Sequence, residues 1–396
     1  MANDHLHNLF NFDQPIERRG GDSIKWHKHG RDVLPMWVAD MDFQSPPAVI
    51  DALQARVAQG VFGYGRPLPE LIATICERME RLYSWQVDPD QVLFLPGLVC
   101  GLNLVCRALG EPGDEVLVQT PVYPPFLSAP GNQGKRLKTA ELSLSERNGN
   151  LYYEIDFDAF EKAITQRTRL FILCHPHNPV GRVFTPEEIT RLAEICARHN
   201  LYICSDEVHG DLLLDDRQHK PFACQVPELA SRCITLMAPS KTFNIAGLGA
   251  SFAIIQDPQL RRQVKAAAAG IVTEVNILAY VAALAAYQQG QEWLTALLGY
   301  LNGNRDFLLT YIAQHLPGIR STCPEATYLA WLDCRAADIS ENPQSFFLRE
   351  AKVAFNDGVT FGPGGKGFVR LNFGCPRATL EMGLERLNKA LMTQGK

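Results

Sequence analysis

Four short apolar runs in the middle of the chain each end at a polar or aromatic residue, and helical patterns lie between them. The runs are Glu115 to Thr120, Arg169 to Cys174, Leu201 to Ser205 and Cys233 to Met237. Their length and β-branched content predict strands. The clearest intervening helix begins at Thr185, a candidate N-cap, with Pro186 in the first helical position and Glu188 completing a capping box. Ile189, Leu192, Ala193 and Cys196 then follow helical spacing. Strand, helix, strand requires a parallel sheet with right-handed crossovers. The fold class expected is therefore α/β, a large domain with a mostly parallel sheet flanked by helices. Both chain ends read as a smaller α+β domain, residues 1–48 with 290–396, leaving 49–289 as the large domain. Short strands are predicted at Thr327 to Trp331 and Gly367 to Phe373.

Open parallel sheets bind ligands at the carboxyl ends of their strands, and the residues there are chemically distinctive. The first run leads into P-V-Y-P-P-F with Tyr123, and the second into H-P-H-N-P-V-G with Asn178. The third leads into S-D-E-V-H with Asp206, and the fourth into A-P-S-K-T-F-N with Ser240 and Lys241. A lysine at the end of a buried strand suits Schiff-base chemistry, because desolvation and nearby cations make its neutral amine accessible. A fixed carboxylate at Asp206 suits the nitrogen of a protonated pyridine ring, which then acts as an electron sink. Asn178 can donate to the ring's phenolic oxygen, and Tyr123 can stack on its face. Taken singly, each has an ordinary structural reading: a surface lysine, a capping aspartate, an N-P turn, a loop aromatic. Their regular fall on successive strand ends favours the chemical one.

A phosphate would need backbone donors at a helix start. Pro96 and Gly97 form a turn, and an apolar helix is predicted from Leu98, so the amides at Leu98 and Val99 qualify. Arg370, in G-F-V-R-L-N-F, can grip a carboxylate with its planar fork, against the alternative of a solvated strand charge. G-P-G-G-K-G at Gly362 to Gly367 lacks the spacing of a phosphate-binding P-loop and reads as a flexible turn. C-H-P-H at Cys174 to His177 has no second ligand cluster, so no metal is expected. His27 and His29 read as solvated.

The totals exclude some classes. A formal charge of −5 over 396 residues calls for neither nucleic acid nor an anionic membrane. The 11 cysteines lie mostly in apolar runs without a C-x-x-C pair, as expected of buried thiols in a reducing, cytoplasmic setting. The opening M-A-N-D-H-L-H-N has no leader pattern. Ala266 to Tyr287 is apolar but interrupted by Thr273, Glu274 and Asn276, which predicts a buried helix, not a membrane span. Two further helices are expected between Pro46 and Tyr83, marked by Val49, Leu53 and Val57 and by Leu71, Ile75, Met79 and Leu82, with V-F-G-Y-G-R-P between them.

The ordered set N-P-V-G, D-E-V-H, S-K-T-F-N-I-A-G-L and R-L-N-F resembles the fold-type-I pyridoxal-phosphate enzymes, the aspartate aminotransferase superfamily, over nearly the whole chain. More narrowly, L-P-M-W-V-A-D-M-D-F at Leu34 to Phe43 and F-G-Y-G at Phe62 to Gly65 resemble the MalY/PatB branch of carbon–sulfur β-lyases. The resemblance implies a pyridoxal 5'-phosphate cofactor, with Lys241 as its covalent anchor and the proton carrier. It implies Asp206 at the ring nitrogen, Asn178 at the phenolic oxygen, Tyr123 on one ring face and Val208 on the other. Leu98, Val99 and Ser240 would hold the phosphate, joined by Tyr64 from the neighbouring subunit of a homodimer. Arg370 would bind the α-carboxylate of a small sulfur amino acid. The reaction implied is α,β-elimination to a thiol, pyruvate and ammonia, as in cystathionine β-lyases, with class I/II amino-group transfer as the alternative. Two positions depart from the superfamily pattern: His209 replaces a common tyrosine, and Gly249 replaces an arginine that compensates the phosphate. E-R-R-G-G-D-S-I-K-W only approximates the branch's G-T-x-S-x-K-W pattern.

Overall fold

The computed structural model describes residues 10–394; the opening segment read above for a leader, Met1 to Asn8, lies outside them. A seven-stranded sheet runs through the centre. Its spatial order is Val92–Leu95, Ser251–Ile254, Cys233–Met237, Tyr202–Asp206, Thr168–Cys174, Glu115–Thr120 and Arg136–Glu141. Ser251–Ile254 is antiparallel to both its neighbours, and the remaining pairs are parallel. The four central strands are almost wholly buried and read as continuous apolar runs because helices cover both faces. The capping box at Thr185 forms as expected: the Thr185 hydroxyl accepts from the Glu188 amide, and the Glu188 carboxylate accepts from the Thr185 amide. The helix it starts, Pro186–Arg198, buries Ile189, Leu192, Ala193 and Cys196.

A smaller antiparallel sheet orders Arg320–Ser321, Leu329–Asp333, Phe368–Asn372 and Asn356–Asp357. Leu34–Pro35 pairs with Val353–Ala354, so the N-terminal segment is tied to the C-terminal hundred residues. Two expected strands shift at their starts, because Thr327 and Gly367 both adopt positive φ and cannot continue a ladder.

Several local expectations need correction. Ala266 to Tyr287 is not one helix. Pro258–Ala268 ends, Gly270 takes a left-handed conformation, and Asn276 caps a new helix over Ile277–Gln289. Polar Thr273 to Asn276 therefore punctuate the segment. Of the two early helices, Pro69–Tyr83 buries Leu71, Ile75 and Met79, whereas Val57 and Leu82 are exposed. The turn at Gly362 to Gly367 is packed, not loose: a Cβ on Gly365 would lie 1.9 Å from the Gly358 carbonyl oxygen. All 11 cysteines are free, but Cys323 is exposed and only seven are buried. His27 is exposed, whereas His29 is half-buried with its ring edge-on to Trp37. No helix among the described residues is long and apolar enough to cross a membrane, and no group of metal-ligating side chains occurs among them.

Candidate active site

The carboxyl ends of the parallel strands open into a cavity of about 240 Å³. Its lining includes Leu98, Val99, Tyr123, Asn178, Asp206, Val208, Ser240 and Lys241. Eight of the ten residues singled out from the sequence thus share one cavity. Arg370 lies against it through Asn178, and Tyr64 projects fully into solvent away from it.

Each side chain is placed by its element. Asp206 is the last residue of its strand and is buried, with one carboxylate oxygen accepting from the Val208 amide. Burial pushes its pKa up to about 7, with Glu207 adding to the rise and Lys241 opposing it. A desolvated carboxylate of this kind favours a cationic partner in the cavity. Lys241 follows the strand Cys233–Met237 and remains partly accessible from the cavity. Desolvation, with the Arg370 charge adding, brings its pKa down to about 8. Its Nζ donates to the Ala39 carbonyl oxygen at 2.6 Å, and Tyr328 donates to the same oxygen at 2.9 Å.

Arg370 is 3% exposed, which excludes the reading as a solvated strand charge. It donates to the Asn178 side-chain oxygen at 3.1 Å, the Trp37 carbonyl at 3.0 Å and the Asn356 side-chain oxygen at 2.7 Å. None of these acceptors is a carboxylate, and its buried Nε has no partner. Burial lowers its pKa to about 10, still far above neutrality. A buried guanidinium held by neutral groups is poised for an anionic ligand. The same bond orients Asn178: with its oxygen engaged by Arg370, its amide nitrogen is the group left for a ligand.

At the other end of the cavity, the helix Leu98–Ala108 starts behind Gly97. Its first amides have no intrahelical acceptor and, with the helix dipole, suit an anion. Gly249 sits opposite at φ +73°, where a Cβ would approach the Pro96 carbonyl oxygen to 2.8 Å. No arginine could take that position without moving the Pro96 turn. A desolvated carboxylate, a lysine of lowered pKa and an amide cradle at suitable places in one cavity fit pyridoxal phosphate.

Sequence reasoning missed the wall facing these residues. The segment Trp37 to Phe43 is held through its backbone on one side and through the Asp40 and Asp42 carboxylates on the other. Asn372 donates to the Val38 and Asp40 carbonyls, while Asn244 donates to those of Met41 and Phe43 and accepts from the Met41 amide. Behind it, Asp42 accepts from Lys25, Arg18 and Trp26 at 2.7, 2.6 and 2.9 Å. W-V-A-D-M-D-F was visible as a motif, but carbonyl acceptors leave no side-chain signature. His209 also lines the cavity, its ring edge-on to Tyr328 and its Nδ1 unpartnered. Desolvation first, then Lys241 and Arg370, push its pKa down to about 3, so the imidazole is neutral.

The class defined by this fold and cavity is an α/β pyridoxal-phosphate enzyme. Its residues 31–387 match the family model for class I and II aminotransferases. PatB, the cystathionine β-lyase of Bacillus subtilis, is 41% identical over 96% of this chain and 100% of its own length. The crystal structure of OvoB superposes with a TM-score of 0.92 at 44% identity, covering 97% of this chain and all of that one. Cystalysin from Treponema denticola, solved with pyridoxal 5'-phosphate, also superposes at 0.92, with 34% identity over 97% of this chain and 99% of its own. The chain belongs to the class I and II aminotransferase family, in the branch that contains PatB.

Proposed function

We propose that this protein is a pyridoxal-phosphate-dependent carbon–sulfur β-lyase. It would convert a small sulfur amino acid and water to a thiol, pyruvate and ammonia, working as a homodimer. The observation that carries the reading is the pairing of Lys241, at a pKa of about 8, with a buried Arg370 that no carboxylate neutralises. The names of PatB and of solved carbon–sulfur lyases in the same branch support elimination over amino-group transfer.

Bound pyridoxal phosphate supplies an electron sink that acidifies the Cα–H of an attached amino acid. The chain's own residues do the rest. Arg370 grips the α-carboxylate and fixes the orientation of Cα. The lysine amine, partly neutral near pH 8, takes the Cα proton. Asp206 would stabilise positive charge at the ring nitrogen, and Asn178 would donate to the phenolic oxygen. Tyr123 and Val208 would pack on the ring faces. Leu98, Val99 and Ser240 would bind the phosphate, joined by Tyr64 from a second copy of the chain. With that sink in place, the proton held by Lys241 would pass to the thiolate leaving Cβ, so that the overall products, with one water, would be a thiol, pyruvate and ammonia.

The test is release of thiol and pyruvate from L-cystathionine by the cofactor-loaded protein, with Lys241→Ala alongside. Equal release of both products without added keto acid, lost in Lys241→Ala together with the yellow absorbance, is the expected result. Amino-group exchange with a keto acid and no thiol would replace the lyase reading with an aminotransferase.

A further inference from the structure

Lys241 sits in a turn that is closed around it, not through it. The Phe243 amide donates to the Pro239 carbonyl at 2.9 Å, and the Ile245 amide to the Ser240 carbonyl at 3.0 Å. Among the described residues, neither the amide nor the carbonyl of Lys241 or of Thr242 is hydrogen-bonded to another main-chain group. A side chain supplies the missing anchor. Thr242 is fully buried, and its hydroxyl donates to one Asp211 carboxylate oxygen at 3.1 Å. The other Asp211 oxygen accepts from the Arg78 guanidinium at 2.6 Å. Arg78 is itself buried and lies over the Tyr287 ring.

Asp211 belongs to the segment that carries the other half of the site, just beyond Asp206 and Val208. That segment is a tight one: the Gly210 amide donates to the Glu207 carbonyl and the Leu212 amide to the His209 carbonyl, both at 2.9 Å. One carboxylate therefore joins the Asp206 segment to the lysine turn, and Arg78 ties both to the helix Pro69–Tyr83. Behind the segment lies a small void of about 10 Å³, bordered by Arg78, Glu207, Val208, Asp211 and Tyr287. Val208 also lines the larger cavity, so it forms the partition between the two. Without the carboxylate link, the void gives segment and turn room to shift against each other. A buried hydroxyl takes a partner as a rule, and a carbonyl would serve. A carboxylate already gripped by a buried arginine makes the bond charge-assisted and fixes its direction.

We propose that Thr242, fixed by Asp211 and Arg78, is a positioning residue for Lys241. This rests on the reading of Lys241 as the cofactor-binding lysine and proton carrier. The flexible lysine stem has two tasks, bonding the cofactor and taking the Cα proton, and each needs Nζ within about 3–3.5 Å of its target. A turn without main-chain bonds at Lys241 and Thr242 would let the root of that stem rotate. The Thr242 hydroxyl removes this freedom and leaves the stem itself mobile. Because its acceptor lies on the Asp206 segment, the same bond fixes the lysine root relative to the groups that would hold the cofactor ring. Thr242 does not line the cavity, so it acts only through Lys241, and binding of the substrate carboxylate falls to Arg370.

The experiment compares Thr242→Val, which keeps the side chain's shape and removes the donor, with Thr242→Ser, which keeps the donor. Thr242→Ala takes the place of the valine variant if that one does not fold. Cofactor-free protein is mixed with saturating pyridoxal phosphate, and the first-order absorbance change reports the Lys241 amine meeting the aldehyde. Thr242→Val should slow this step about tenfold and lower kcat for thiol release from L-cystathionine about tenfold, with KM changed less than about twofold. Thr242→Ser should bring both rates back to within about threefold of wild type. Adding Thr242→Val to Asp211→Ala should cost less than about a further twofold, because the two changes break one link. Unchanged rates in Thr242→Val, a loss that serine does not restore, a loss carried by KM alone, or full additivity with Asp211→Ala overturns the proposal. Lys241→Ala, run in parallel, separates the two levels. If it shows the same absorbance change as wild type, the reading of Lys241 fails and this proposal with it. If it shows none, the Thr242 variants judge the positioning role alone.

Discussion

Asp42→Asn is the sharpest test of the wall that closes the cavity. Asp42 is buried and accepts from Lys25, Arg18 and Trp26, and Lys25 is itself only 1% exposed. Burial alone would raise the Asp42 pKa, but Lys25, Trp26 and Arg18 outweigh it and hold the carboxyl below its usual range. An asparagine keeps one acceptor oxygen and turns two N–H donors toward groups that are themselves donors. Lys25 is left with Asp40 at 3.5 Å and the Asp40 carbonyl at 3.1 Å as its remaining partners. Breaking one side of a buried ion pair costs about 3–5 kcal/mol. For a chain of 396 residues the unfolding entropy near the midpoint is roughly 0.8 kcal/mol/K, so Tm should fall by about 4–6 °C. Lys25→Met should cost less, because Arg18 and Trp26 still serve Asp42. Differential scanning calorimetry at pH 7 measures both. The carboxylate's contribution is present above its unfolded pKa of about 4 and is lost as pH falls through the lower folded value. The gap between wild type and Asp42→Asn should therefore close in acid. A Tm within 1 °C of wild type at pH 7 would refute the assignment of this ion cluster as the wall's support.

Arg370→Lys should raise KM for an amino-acid substrate by about ten- to a hundredfold through loss of the bidentate grip, with pyridoxal phosphate affinity nearly unchanged; steady-state kinetics beside cofactor titration measures the split. Gly249→Ala should weaken pyridoxal phosphate binding and cost about 1–2 kcal/mol in urea unfolding, because its φ of +73° is left-handed and its Cβ meets Pro96. Buried His177, whose Nε2 donates to the Pro121 carbonyl, has its pKa lowered to about 4 by desolvation. The unfolded chain binds that proton more readily below about pH 6.5, so stability should fall by about 3 kcal/mol from this group as pH drops from 6.5 to 4. Urea titrations across that range, with His177→Gln showing a shallower acid limb, would reveal it; equal slopes would rule it out.

Reading function from the chain worked best where residue type and strand position coincide. Asp206, Asn178 and Lys241 follow apolar runs, and a parallel sheet must bring strand ends together whatever its exact boundaries. The failures have physical causes. Val57 and Leu82 carried helical periodicity, but nothing packs on them in a single chain. The polar interruptions in Ala266 to Tyr287 argue against a membrane span, but their pattern alone does not show that Gly270 ends one helix and Asn276 starts another. Tyr64 is fully exposed and does not line the cavity of its own chain, so a single chain does not bring it to the other residues singled out.

The four central strands, the capping box at Thr185 and the residue types that follow the strand ends were legible in the sequence alone, because they rest on local pattern; the order of the seven strands and the antiparallel strand Ser251–Ile254 were not. The environments of those groups were decided only by tertiary structure. Burial raises the pKa of Asp206 and lowers that of Lys241, and it strips water from Arg370 while leaving it no carboxylate. Ala39 serves Lys241 through a carbonyl that every residue possesses, so only the folded chain could single it out. Desolvation and backbone geometry depend on contacts between residues hundreds of positions apart, and no local pattern encodes them.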